Sequence, residues 1–131
     1  MPDILTANGV SKTYFDPREG NDVLALNGVS LSVAAREFVS LIGPSGCGKS
    51  TFLRIVAGLE RPTAGEIAVS GRKVTGPGAD RGMVFQEYAL LPWKTTEGNI
   101  EFGLRLKKVP AEERRATTQR FVDLVGLSGF E

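Results

Sequence analysis

The most constraining feature of the sequence is LIGPSGCGKST at residues 41–51, where a glycine-rich loop joins an apolar run to a helical pattern. Residues 43–50 fit the spacing G-x-x-x-x-G-K-[ST]. Glycines let several backbone N–H groups approach one anion, and a helix starting at Lys49 directs its positive end there. The stretch therefore predicts a strand, a phosphate-binding loop and a helix, the alternative being a chance glycine turn.

Each residue type in this loop suits one part of a bound phosphate chain. Lys49 can reach the β- and γ-phosphates, and the Ser50 hydroxyl can bind Mg²⁺. Cys47 is either a reactive thiol that a bound phosphate shields or a small residue whose sulfur turns toward the domain interior. The predicted ligand-binding residues of the loop are Gly43, Ser45, Gly46, Cys47, Gly48, Lys49, Ser50 and Thr51.

Regular patterns flank the loop on both sides. The nearly continuous apolar run EFVSLIG (37–43) predicts a strand that is buried on both faces. After the loop, apolar residues recur with the spacing of one helix face and predict an amphipathic helix that begins near Lys49. These apolar residues are Phe52, Ile55, Val56 and Leu59.

The remaining segments predict a β-rich first part and a helical last part. An Asn27-Gly28 pair predicts a turn between two short strands within 23–33. From Thr95 onward the pattern is helical, and Gly126 is a helix stop. The other predicted strands are 4–15, 65–71 and 83–86, with a turn at 16–22.

Composition excludes several classes of function. Lys and Arg number 16 against 15 Asp and Glu, so no bulk positive field favours a nucleic acid partner. The sequence contains no histidine, which excludes a His-based triad or a His metal site within it. It has 1 cysteine, which fits a reducing compartment. No apolar run approaches the ~20 residues of a membrane span, and the beginning of the chain does not resemble a signal peptide.

The whole chain resembles the nucleotide-binding domain of ABC transporters, at VSKTY, GPSGCGKST, AGLERPTAGEI and GMVFQEYALLPW. The segment QEYALLPWKTTEGNIEFGL is most similar to importer ATPases for nitrate, sulfonate, taurine and similar small anions. The resemblance implies a truncated α/β P-loop NTPase fold, with a RecA-like core, an antiparallel β subdomain and the start of a helical subdomain. Residues 1–131 then form the N-terminal part of one ATP-binding domain, with the β-rich and P-loop core in 1–86 and the helical subdomain starting in 87–131.

The resemblance also implies ATP and Mg²⁺ as cofactors and assigns two further site residues. Tyr14 matches the aromatic residue that stacks on adenine, although it could instead pack on its own sheet, and Phe15 is the rival stacking residue. Gln86 matches the glutamine that contacts Mg²⁺ and the attacking water, its alternative being a solvated strand end. The implied catalytic residues are thus Lys49 and Gln86, and the implied metal ligands are Ser50 and Gln86.

Implied partners are a second ATP-binding subunit and a transmembrane permease subunit at the cytoplasmic face of the membrane. YALLPW (88–93) matches the surface that meets the permease, and its alternative is packing within the domain. A P-loop kinase is a less favoured alternative, because the sequence shows neither the lid arginine cluster nor the acceptor site that a kinase needs. We expect no nucleic acid partner.

The family's hydrolysis also uses an LSGGQ-type signature, an acidic strand and a switch histidine, none of which occurs in this sequence. GLSGFE (126–131) begins like the signature, but Phe130 and Glu131 stand where Gly and Gln are needed. We therefore expect this chain by itself to bind ATP without efficient hydrolysis. A non-hydrolysing nucleotide-binding or interaction module remains the alternative to a transport ATPase.

Overall fold

The structure is a computed structural model that describes residues 2–131. It contains two compact units, one ending at Met83 and the other spanning Val84–Glu131. In the first unit, four strands form one antiparallel sheet in the order β2-β1-β3-β4. The elements are β1 (Asp3–Asp16), β2 (Asn21–Ala34), α1 (Lys49–Ala57), β3 (Ala64–Val69), β4 (Arg72–Lys73), α2 (Thr96–Leu106) and α3 (Ala111–Leu124).

β2 is one continuous strand, so the predicted pair of short strands around Asn27-Gly28 is wrong. Val10 pairs with Val29, and Lys12 pairs with Leu26, so β2 carries an extra residue between these two pairs. Gly28 has φ +61° and accommodates the extra residue as a bulge. The Asn-Gly signal therefore marks an irregularity within a strand instead of a turn that ends one.

The core of the first unit contains residues of the sheet and of α1. Phe52 and Ile55 of α1 are buried, as the helical spacing predicts. Leu59, predicted on the same face, lies beyond the end of α1 and is 48% exposed. The buried apolar residues of this core are Ala7, Val10, Leu26, Phe52, Ile55 and Ile67.

Segments 37–43 and 83–86 are not strands, so both of these predictions are wrong. Phe38 and Ile42 are 92% and 95% exposed, and Val84 is 98% exposed. A strand that is apolar on both faces needs hydrogen-bonded neighbours and covering layers. All the paired strands within residues 2–131 belong to the antiparallel sheet, and neither segment joins it. The strands predicted at 4–15 and 65–71 are confirmed as β1 and β3.

The second unit is held together by a buried carboxylate between its two helices. Glu101 of α2 is only 7% exposed. It accepts a hydrogen bond of 2.8 Å from Nε of Arg105 on the same helix and another from Nε of Arg114 on α3. Removal of either partner would leave a poorly compensated buried charge, so this cluster fixes α2 against α3.

Both predicted boundaries of the helical part are confirmed. Thr95 caps α2, since its Oγ1 accepts a hydrogen bond of 3.0 Å from the backbone N–H of Gly98. Gly126 follows the end of α3 with φ +72°, the left-handed conformation that commonly ends a helix.

Candidate functional site

The glycine loop leads directly into the first turn of α1, which begins at Lys49 as predicted. Gly48 is the N-cap residue, with φ +98°, and no side chain hydrogen-bonds to this helix end as a cap. The first turn contains no acidic residue. The positive end of the helix dipole is therefore not offset locally by a carboxylate, which suits an anion.

Close approach requires glycine at Gly48 and leaves little room for a side chain at Gly43. A Cβ on Gly48 would lie 2.5 Å from the carbonyl oxygen of Ala25 and 2.8 Å from Cδ2 of Leu26. A Cβ on Gly43 would lie 2.7 Å from the sulfur of Cys47. The loop is thus packed against β2 at Gly48, and Gly43 lies against the side chain of Cys47 within the loop.

The ammonium group of Lys49 lies within this loop. It donates hydrogen bonds to the carbonyl oxygens of Gly43 at 2.6 Å and Pro44 at 2.8 Å, and to the sulfur of Cys47 at 3.3 Å. None of the ion pairs within residues 2–131 includes Lys49. Sulfur is a weak acceptor, so a phosphate oxygen could replace it at little cost. The loop therefore positions a cation without a carboxylate partner at the start of α1.

Cys47 is exposed, and its sulfur faces Lys49. This contact favours a sulfur within the loop over one that turns toward the domain interior, and the role of Cys47 at a phosphate stays a prediction. The remaining predicted loop residues are also at the surface: Ser45 and Ser50 are exposed, and Thr51 is half-buried in the first turn of α1. The hydroxyl groups of Ser50 and Thr51 lie in the first turn of α1, directly after Lys49, as the motif requires.

Tyr14, near the end of β1, is joined through its hydroxyl group to the segment that follows α1. This hydroxyl donates a hydrogen bond to the carboxylate of Glu60. Partial burial raises the pKa of the Tyr14 phenol, and the Glu60 carboxylate raises it further, while Thr51 acts in the opposite direction. Tyr14 is 37% exposed. The structure thus leaves the predicted stacking residue partly accessible and fixes its hydroxyl on Glu60.

Gln86 is exposed and lies in the second unit. Its role at a metal ion stays a prediction. Within residues 2–131, no group of three or more His, Cys, Asp or Glu side chains could hold a metal ion. Mg²⁺ commonly keeps few protein ligands and binds mainly to phosphate oxygens and water. A hydroxyl such as that of Ser50 together with a phosphate chain therefore fits this chain better than a carboxylate cage does.

In the predicted partner segment 88–93, the large side chains of Tyr88, Leu90 and Trp93 are exposed. Leu90 is 71% exposed and Trp93 is 76% exposed. Leu91 is half-buried, and its backbone N–H donates a hydrogen bond of 2.7 Å to Oδ1 of Asn99 on α2. The Asn99 amide in turn donates to the carbonyl oxygens of Leu91 and Thr95, at 3.2 and 2.9 Å. Asn99 therefore fixes the backbone of the segment while leaving part of its apolar side chains at the surface.

A cavity of about 500 Å³ lies beside this segment within the second unit. The apolar residues around it come from segment 88–93, α2, α3 and the turn after α3. They include Leu90, Leu91, Pro92, Ile100, Phe121 and Val125. Sequence reasoning missed this cavity, and it also missed Glu60, which lies 46 residues from the tyrosine that it contacts. No local pattern indicates contacts over such a separation.

Comparison with known proteins finds similarity to ATP-binding proteins of transporters. The ABC transporter family model matches residues 26–131. An uncharacterised ABC transporter ATP-binding protein of Methanocaldococcus jannaschii is 53% identical over 112 residues, which are 86% of this chain and 42% of that protein. A nitrate import ATP-binding protein of Synechocystis is 52% identical over 108 residues, 82% of this chain and 41% of that protein.

A taurine import ATP-binding protein of Burkholderia thailandensis is 47% identical over 127 residues, covering 97% of this chain and 48% of its own length. The chain thus spans less than half the length of these three relatives. Among solved structures, a dimeric post-hydrolysis state of an ATP-binding cassette bound to ADP and Pi superposes with a TM-score of 0.78 at 34% identity. That match covers 91% of this chain and 56% of the other.

Proposed function

The chain belongs to the ABC transporter family, and from that premise we propose that it provides the ATP-binding part of an importer of small anions. The observation that carries this proposal is the position of Lys49. Its ammonium group lies in the glycine loop at the start of α1, with two carbonyl oxygens and a sulfur as partners and no carboxylate. Nitrate and taurine importers among the relatives support the class of transport system.

In this proposal the loop binds the phosphate chain of Mg-ATP. The backbone N–H groups around Gly46 and Gly48 and the start of α1 attract the phosphate oxygens. Lys49 stabilises charge on the β- and γ-phosphates, and the Ser50 hydroxyl contributes a ligand to Mg²⁺. Bound Mg²⁺ supplies neutralisation of the phosphate charge. Ser45, Cys47 and Thr51 complete the loop around the phosphates.

The nucleotide base stacks on Tyr14. A stacked ring presents a π-face and contacts few base edges, so ATP and GTP are poorly discriminated. Replacing Tyr14 by Ala should weaken both nucleotides to a similar extent, measured as the dissociation constant of each magnesium complex. If Phe15→Ala weakens them and Tyr14→Ala does not, Phe15 is the stacking residue and the assignment is wrong.

Binding rather than turnover is the activity that we propose for these 131 residues by themselves. Lys49 and Gln86 match the residues that act on the γ-phosphate and the attacking water. The 131 residues hold no LSGGQ-type signature, acidic strand or histidine to act with them. Mg-ATP should therefore bind while phosphate release stays at the background rate. Phosphate release that is abolished by Lys49→Ala would show that the chain hydrolyses ATP and would overturn this part of the proposal.

Two partners follow from the same family membership. The related cassette bound to ADP and Pi is dimeric, so we propose a second ATP-binding subunit as one partner. The exposed apolar side chains of Leu90 and Trp93 support docking of a transmembrane permease subunit on segment 88–93. None of the helices in residues 2–131 is long and apolar enough to cross a membrane. Because relatives are import ATP-binding proteins, we propose that the chain attaches to the membrane through the permease, at the cytoplasmic face.

A further inference from the structure

Glu60 lies just beyond α1 and joins three side chains from different parts of the first unit. Its carboxylate accepts the hydrogen bond from the hydroxyl of Tyr14. The same carboxylate lies 3.9 Å from the ammonium of Lys12 and 3.8 Å from the guanidinium of Arg54. The Glu60 side chain is 24% exposed, so these groups remain partly solvated. Lys12 and Arg54 therefore restrain the Glu60 carboxylate, and this carboxylate in turn restrains the Tyr14 hydroxyl.

Lys12 contacts the same aromatic ring from another direction. Its ammonium group lies 5.1 Å from the centroid of the Tyr14 ring and donates a hydrogen bond of 2.8 Å to the carbonyl oxygen of Arg61. A cation over an aromatic face is attracted by the ring quadrupole. The cation is thus anchored by a main-chain oxygen and covers one face of the ring.

These two contacts restrict different rotations of the Tyr14 side chain. The hydroxyl lies on the axis about which the ring rotates at χ2, so its hydrogen bond to Glu60 fixes the direction of this axis but not the ring plane. The Lys12 ammonium acts on the ring face and therefore favours one orientation of the plane. Because stacking depends on both axis and plane, the two contacts together prepare the ring for a flat ligand.

We propose that Glu60 is a positioning residue for the nucleotide base: it holds the Tyr14 ring in the orientation that stacks, and Lys12 covers the face opposite the base. This inference rests on the proposed function, because it assumes that Tyr14 stacks on the base. Glu60 contributes to binding of the base and not to binding of the phosphates. Glu60 is an anion, so any direct effect on the phosphates would be repulsive and would not distinguish ligands with and without a base.

The test compares Mg-ATP with Mg-tripolyphosphate, which has the phosphate chain but no base. The dissociation constant of each is measured by calorimetry on the 131-residue chain, and the ratio of the two reports the contribution of the base. General loss of folded protein or a change of net charge alters both constants and leaves the ratio nearly unchanged. Circular dichroism on each variant checks the fold.

Tyr14→Phe keeps the ring and removes the hydroxyl, and Glu60→Ala removes the acceptor. Each should reduce the preference for ATP over tripolyphosphate by about two- to tenfold, the range of one hydrogen bond. The double variant should reduce it no further, because both changes break the same contact. Glu60→Gln retains an acceptor oxygen and should restore most of the preference. Glu66→Ala, which removes a carboxylate that pairs with Lys73, is the matched control and should leave it unchanged.

The failures can be told apart. If the chain binds neither ligand, or if Tyr14→Ala leaves the preference unchanged, the proposed function or its stacking assignment is wrong. If Tyr14→Ala reduces the preference while Tyr14→Phe and Glu60→Ala do not, only the positioning role of Glu60 is overturned. Additive losses in the double variant would also overturn it, because Glu60 would then act on the base by another route than the Tyr14 hydroxyl.

Discussion

Replacing Gly48 by Ala should destabilise the chain much more than the same change at Gly46. Gly48 has φ +98°, and Gly46 has φ +81°, so both substitutions place a Cβ in a backbone conformation that costs about 1–2 kcal/mol. At Gly46 the new Cβ meets nothing within 4 Å. At Gly48 it would lie 2.5 Å from the carbonyl oxygen of Ala25, a main-chain atom of β2 that cannot move without shifting the strand.

Overpacking of this kind costs about 1–3 kcal/mol in addition. We therefore expect a loss in the free energy of unfolding of about 2–5 kcal/mol for Gly48→Ala and about 1–2 kcal/mol for Gly46→Ala. Urea titration followed by circular dichroism measures both. With a slope of about 2 kcal/mol per molar urea, an extra 2 kcal/mol lowers the midpoint by about 1 M. Equal losses in the two variants would refute the reasoning from close approach to β2.

Three further predictions test other parts of the structure. Saturating Mg-ATP should slow alkylation of Cys47 by a maleimide, and adenosine should not, because the sulfur faces Lys49 at the proposed phosphate site. Equal alkylation rates, with nucleotide binding demonstrated in parallel, would contradict this. Leu90→Asp should keep the free energy of unfolding within about 0.5 kcal/mol of that of the unaltered chain, since Leu90 is 71% exposed, and should prevent association with a permease subunit. Unfolding of the variant would show that Leu90 is a core residue. Arg114 and Arg105 hold the pKa of Glu101 below its ordinary value of 4.5, so the contribution of Glu101 to stability is complete above pH 4.5 and disappears as the pH falls through the lowered pKa. Urea midpoints followed by Trp93 fluorescence should therefore fall in acid, and Glu101→Gln should lose part of this fall. An unchanged pH dependence in the variant would contradict the role of the cluster.

Local patterns predicted the parts of the fold that depend on neighbours in sequence. The spacing of Phe52 and Ile55 places both on one helix face, and the glycine motif places the start of α1 at Lys49, because helix formation and its termination are decided within a few residues. The same holds for Thr95 and Gly126 at the ends of the helical segments. These features required no knowledge of distant contacts.

Predictions failed where the outcome depends on pairing across the chain. The apolar run 37–43 has the composition of a buried strand, but a strand forms only when another strand supplies its hydrogen bonds. The Asn27-Gly28 pair has the composition of a turn, yet continuous pairing with β1 makes it a bulge. The contact between Tyr14 and Glu60 spans 46 residues and joins the end of a strand to the residue after a helix. Such a contact is specified by the folded backbone and has no signature of its own in the sequence.

The most direct test of the account is the affinity of the chain for Mg-ATP with and without the Lys49 ammonium. Equilibrium dialysis should show binding by the unaltered chain and a loss of at least about tenfold in Lys49→Ala, the range expected when a hydrogen bond to a charged group is removed. Lys73→Ala removes the same charge from β4, where Lys73 pairs with Glu66, and should bind like the unaltered chain. Equal affinity in all three proteins, or no binding by the unaltered chain, would contradict a phosphate site at the glycine loop.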